Sequence, residues 1–271
     1  MGLKNINLKE EYRSDVDDIV AEFFFPCLSN CIQYDRCVNF LSIQALATIA
    51  MAFDNFDAGK AKLRMITGHR YKTEDLNIFT KLFSEKFTKS FEGKFIKNSK
   101  IQKLQNIVNS GQIELKIAIP NSERIADAFS ERIGIFIDEK DEQVAFTGTS
   151  KESFSSQTRD FESVDVFTSW NDKTRVERKM EDFENLWQNK TKYVDVCDFI
   201  YAEENNLLKY SSKWVTQKSR PDESERLLKV AIGISYCSIK FFNFFERKNK
   251  MMEATPAMKT KNIKNSCKLV I

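Results

Sequence analysis

Apolar positions along the 271-residue chain change period repeatedly, and each change predicts an element. Over residues 12–28, Val16, Ile19, Val20, Phe23 and Phe24 recur at helical spacing. Asp15, Asp17 and Asp18 stand where a helix start favours negative charge. Residues 32–41 read as a strand, 43–53 as a largely buried helix, and 62–68 as a strand closing on a glycine turn. Thr73 with Glu74 and Asp75 starts a helix running towards Phe87. A helix over 101–108 closes at Asn109-Ser110-Gly111 and is followed by a strand at 113–120. Further strands are predicted at 133–137, 144–147 and 164–168, then a helix at 174–187. Segments 203–208 and 227–245 are helical in character, with Ser219-Arg220-Pro221-Asp222 as a break between them. This alternation predicts an α/β layer fold with a mixed, partly parallel sheet flanked by helices, plus a short helical C-terminal extension.

Composition narrows the picture little. Hydrophobic residues make up 42% and charged residues 30%, which is ordinary for a folded domain. The formal net charge of +3 permits a nucleic-acid partner without demanding one. The 23 phenylalanines, set against 8 glycines and 4 prolines, read as a bias at core positions. Cys27, Cys31, Cys37, Cys197, Cys237 and Cys267 lack the paired spacings of zinc ligands and are expected to be structural thiols. No metal and no cofactor is expected. The charged N-terminus shows no secretory pattern, and no run approaches the ~20 apolar residues that span a bilayer. The expectation is a cytoplasmic protein without membrane contact.

The stretch from Phe129 to Trp187 carries the candidate chemistry. Ser130-Glu131-Arg132-Ile133-Gly134-Ile135-Phe136 leads into Val144-Ala145-Phe146-Thr147-Gly148-Thr149-Ser150-Lys151-Glu152-Ser153, and then into Phe161-Glu162-Ser163-Val164-Asp165-Val166-Phe167. This pattern resembles the phospholipase D-like domain found N-terminal to superfamily 2 DNA helicase and restriction proteins. The resemblance covers about residues 12–199 and implies the same α/β layout. In that family the strand opens with His-x-Lys and the later turn reads roughly Gly-Ser-x-Asn-Glu-Ser. Ser130, Arg132 and Lys151 stand at the matching positions, while Glu152, Ser153 and Glu162 agree with the pattern. The family builds one active site from two such motifs, so a chain holding one implies a homodimer.

The departures matter because of what the family's reaction needs. One histidine attacks phosphorus, a second protonates the leaving oxygen, and the lysine and asparagine neutralise charge developing on the other oxygens. Arg132 keeps a positive charge and adds a fork suited to phosphate, and Lys151 keeps a donor. Ser130 removes the defining step, since a hydroxyl needs a base and no histidine neighbours it. His69, the only histidine, follows the strand end at Gly68, beside Arg70 and Lys72. It is either a substitute catalytic group in the crevice at the strand ends or a solvated loop histidine, and a lone histidine favours the second.

A second resemblance lies near the C-terminus. Phe241-Phe242-Asn243-Phe244-Phe245-Glu246 and Met251-Met252-Glu253-Ala254-Thr255-Pro256-Ala257-Met258-Lys259-Thr260 look like the start of a superfamily 2 helicase. Of its phosphate loop, Ala254-Thr255 and Lys259-Thr260 remain at matching spacing, but Pro256 and Met258 stand where glycines belong. Pro256 removes an amide donor, so Lys259 and Thr260 are expected to be a non-functional ATP-binding remnant. A basic tail with chance similarity is the other reading. Its lysines and phenylalanines suit either phosphate and base contacts or a solvated face over a core helix.

The expected organisation is a phospholipase D-like domain over residues 1–200, a helical connector over 201–245 and a basic tail over 246–271. The leading expectation is a catalytically degenerate phosphodiesterase or nuclease module, binding DNA backbone or a partner in restriction, repair or defence, with a helicase partner implied. The alternative is an active metal-independent phosphodiesterase or nuclease acting on nucleic acid.

Overall fold

The computed structural model describes residues 2–52, 59–83, 98–122, 128–148 and 161–210, all within the chain's first unit, Met1–Ser219. Its centre is a mixed eight-stranded sheet. In chain order the strands are β1 (Glu11–Arg13), β2 (Gln33–Val38), β3 (Lys62–Gly68), β4 (Arg70–Tyr71), β5 (Ile113–Pro120), β6 (Ile133–Ile137), β7 (Gln143–Gly148), β8 (Ser163–Thr168), β9 (Val194–Asp198) and β10 (Lys209–Tyr210). The large sheet is ordered β1-β8-β7-β6-β2-β3-β5-β9, and β10 pairs with β4 in a separate ribbon. Strands β2, β3 and β5 run parallel, and β6, β7, β8, β1 and β9 add antiparallel neighbours.

Two helical layers explain the apolar runs. On one face pack α1 (Phe25–Asn30), α2 (Ile43–Ala52), α3 (Thr73–Phe83), α4 (Asn98–Asn109) and α6 (Phe199–Glu204). The other face is covered by α5 (Lys173–Trp187), through Val176, Phe183, Leu186 and Trp187. Central strands are therefore buried on both faces and read as continuous apolar segments rather than alternating ones. Phenylalanine serves the core as its abundance suggested: Phe136 and Phe146 each pack against both Phe23 and Tyr34, with ring centroids within 6.5 Å.

Polar side chains pin the layers. On β2 and β3, Arg64 and Asp35 form a two-pronged bridge, Nε to Oδ1 at 2.8 Å and Nη2 to Oδ2 at 2.6 Å. Arg64 also donates to Glu184 of α5 at 3.0 Å and lies over the Phe183 and Trp187 rings. Asp138, at the β6–β7 turn, accepts from the backbone amides of Leu3, Lys140 and Glu142, tying the N-terminal 3-10 turn (Leu3–Asn5) to that turn.

The helix predicted over residues 12–28 is corrected. Tyr12 belongs to β1, and helical structure starts after Asp18 as a π-helical turn (Val20–Phe24) that runs into α1. Asp18 caps that start by accepting from Ala21, while Glu22 accepts from the amide of Asp18. The acids are a cap and turn, not a first helical turn, and Val16 is exposed. Likewise 203–208 is not a helix: α6 ends at Glu204, and Leu208 leads into β10. β9 and β10 carry no local pattern of their own because partners distant in sequence make them strands.

Candidate functional site

The register places four segments distant in sequence at one end of the sheet. Ile133 at the start of β6 is opposite Thr147 near the end of β7, and Gly148 is opposite Val164 near the start of β8. Arg13 at the end of β1 is opposite Ser163. The same end carries the carboxyl ends of the parallel strands β2, β3 and β5, where α/β sheets place ligands. Residues preceding β6 and β8 and following β7 therefore converge on one rim.

Three of the predicted site residues are on this rim. Ser130 and Arg132 lie just ahead of β6 and are exposed. Their strand is anchored from below: Phe129, Ile133 and Ile135 are buried in the α5-side core. The fully buried Arg36 of β2 donates from Nη1 to the carbonyls of Arg132 and Ile133 at 3.0 and 3.3 Å. Glu162, half-buried ahead of β8, is locked to the residue after β1. Its amide donates to Ser14 Oγ, and its carbonyl accepts from the Ser14 amide and hydroxyl, all at 3.0 Å. Next to it, exposed Phe161 lies under the Arg13 guanidinium, 5.4 Å from the ring centroid.

Gly148 shows why the chain leaves β7 on glycine. Its φ is +137°, and a side chain there would collide with the Ser163 carbonyl of β8. Lys151, Glu152 and Ser153, which follow in sequence, lie outside the described residues, as do Lys259, Thr260 and the rest of 211–271.

His69 is not a solvated loop residue. It is 2% exposed, and its carbonyl accepts from the amide of Lys209 at 2.8 Å, where the β4–β10 ribbon begins. That main-chain partner lies far downstream, so no local pattern announces it. His69 follows the carboxyl end of β3, the sheet end at which β6 begins, with β2 between the two strands.

The cysteines Cys27, Cys31, Cys37 and Cys197 are free thiols. Cys27 and Cys31 belong to one core and Cys37 to the core on the opposite face of the sheet, so these three do not converge. Burial pushes all three thiols up, away from the reactive thiolate form. Among the described residues no three His, Cys, Asp or Glu side chains are grouped as metal ligands. No helix there is long and apolar enough to cross a membrane.

Arg36 was missed by sequence reasoning. The available signal was the Asp35-Arg36 pair inside an apolar strand, because buried charges persist only with partners.

No protein-family model matches the chain. No curated protein matches it either. Among solved structures, Nuc, a phospholipase D family member from Salmonella typhimurium, aligns with a TM-score of 0.36 at 13% identity, over 65% of this chain and 87% of Nuc. Polyphosphate kinase from Porphyromonas gingivalis aligns at 0.35 and 9% identity, over 66% of this chain and 27% of the kinase. At these scores the likeness assigns no residue a role.

Proposed function

We propose that this chain is a catalytically degenerate phospholipase D-like module that binds the phosphate backbone of DNA. The observation that supports it best is the convergence of Ser130, Arg132 and Glu162 on one sheet end, the arrangement their motif order requires. Arg132 is exposed there and offers a planar fork to a phosphate. Ser130 stands where the family's reaction needs an imidazole nucleophile, and the one histidine, just past β3, is buried. Arg132 keeps phosphate-facing charge, while the Ser130 hydroxyl cannot attack phosphorus without a base. A homodimer, pairing two such rims, belongs to the same reading.

Fluorescence anisotropy with a labelled DNA duplex tests it. Affinity is expected to fall as salt rises. An Arg132→Ala, Lys151→Ala variant is expected to bind more weakly, with a log–log salt slope shallower by about 2, one unit per lost phosphate contact. Absence of binding at low salt, or an unchanged slope in the variant, overturns the proposal. Cleavage of the duplex in EDTA by the wild type overturns the degenerate half of it.

A further inference from the structure

We infer that Arg36 is a positioning residue for the phosphate site, holding the main chain that presents Arg132; the inference rests on the phosphate reading of that rim. The β2–β6 ladder ends at the pair Arg36–Gly134. Ahead of Gly134, the β6 chain has lost its β2 partner, yet this is the stretch that must deliver Ser130 and Arg132 to the rim. The Arg36 side chain substitutes for the missing ladder. One guanidinium nitrogen donates to the carbonyls of both Arg132 and Ile133. The guanidinium carbon stands 5.0 Å from the centroid of the Phe146 ring, which fixes its height above the sheet.

A fully buried arginine is a costly way to fill space in a core that otherwise uses leucine, isoleucine and phenylalanine. An aliphatic side chain would occupy the same volume without the desolvation cost. What it cannot do is donate to carbonyls at the point where the β2–β6 ladder ends. Gly134 completes the arrangement: with no side chain of its own, it leaves the Phe146 ring room to lie across β6. Arg36, Gly134 and Phe146 occupy one row across β2, β6 and β7. That row lies directly behind the exposed segment.

The test separates holding the segment from binding the ligand. Arg36→Met, Arg36→Lys, Arg132→Ala and the Arg36→Met, Arg132→Ala double variant are compared for affinity to a labelled DNA duplex. Hydrogen exchange of the peptide spanning residues 128–136 is followed without ligand. Arg36→Met is expected to weaken binding as much as Arg132→Ala, about tenfold for a lost charged hydrogen bond. The double variant is expected to be no weaker than either single one, because Arg36 acts through Arg132. Arg36→Lys, which keeps one donor, is expected to fall between wild type and Arg36→Met. Exchange across 128–136 is expected to quicken in Arg36→Met while α5 peptides keep wild-type protection. Should Arg36→Met fail to fold, Arg36→Lys carries both comparisons, with smaller changes of the same sign.

Additive losses in the double variant, or wild-type exchange across 128–136, overturn the inference. Failure of the wild type to bind duplex instead overturns the reading of the rim. The exchange result, obtained without ligand, still decides whether Arg36 holds the segment.

Discussion

Gly134 on β6 and Phe146 on β7 face each other across the sheet, and the glycine's missing side chain is the space that the phenylalanine ring fills. Phe146 in turn packs on Phe23, Phe24, Tyr34 and Phe136, so one glycine sets the centre of the aromatic core. Gly134→Ala is therefore expected to destabilise the fold by about 1–3 kcal/mol, the cost of overpacking a filled site. The denaturant midpoint measures this, and a wild-type midpoint would contradict it.

The bridge between Asp35 and Arg64 is expected to act as a fastener for α5. Asp35 is buried, and Arg64 reaches from it to Glu184 and the two α5 rings. Burial weakens the charge on Arg64, but its hydrogen bonds to Asp35 and Glu184 outweigh that and hold the guanidinium above its ordinary range. Asp35→Ala leaves that charge without its main partner, at an expected cost of about 3–5 kcal/mol. Removing Glu184, on the more exposed side, is expected to cost about 1 kcal/mol or less. Urea unfolding of the two variants gives the ratio, and equal losses would show that the bridge does not dominate.

A pH dependence follows from Asp75. It is buried at the start of α3, and its Oδ1 accepts from the amide of Ile43, opening α2. Burial raises its carboxyl pKa, against the amide bond and Lys72, which lower it, and with Glu74, which raises it. The folded state thus binds a proton more readily than the unfolded state. Stability from this group falls as pH rises from the ordinary aspartate range through the raised folded value, and the loss is complete above that value. Asp75→Asn keeps an acceptor for Ile43 and removes the titration. Thermal melts across mildly acidic pH are expected to show a decline with rising pH in wild type that the variant lacks.

If the proposed phospholipase D-like reading holds, placing that family's residues on the rim tests it directly. Wild type is expected to show no cleavage of a generic phosphodiester or of plasmid DNA in EDTA. A Ser130→His, Arg132→Lys, Lys151→Asn variant is expected to cleave, because Ser130 and Arg132 already stand on the rim with their main chain held. Silence in both, with the variant folded, would mean that the rim lacks the geometry of the reaction. Cleavage by wild type that is lost in His69→Ala would mean that the buried histidine reaches substrate after all.

How much of this was legible in sequence depended on the range of the forces involved. Strands β3, β5 and β6 and helix α2 have nearly the bounds that their apolar runs predict, because each is covered over most of its length and its own side chains define it. Ser130, Arg132 and Glu162 were singled out from consecutive residues, and the sheet register sets the segments that carry them at one end. Tertiary structure decided the rest. β1, β4, β9 and β10 are short, and their partners lie far along the chain, so their pairing energy is invisible in any local window. His69 is buried, and its main-chain partner Lys209 comes from the far end of the described chain. Arg36 reads in sequence as a charge misplaced in an apolar strand. Only the folded sheet shows two carbonyls where the β2–β6 ladder ends, and a fully buried guanidinium placed to bond them.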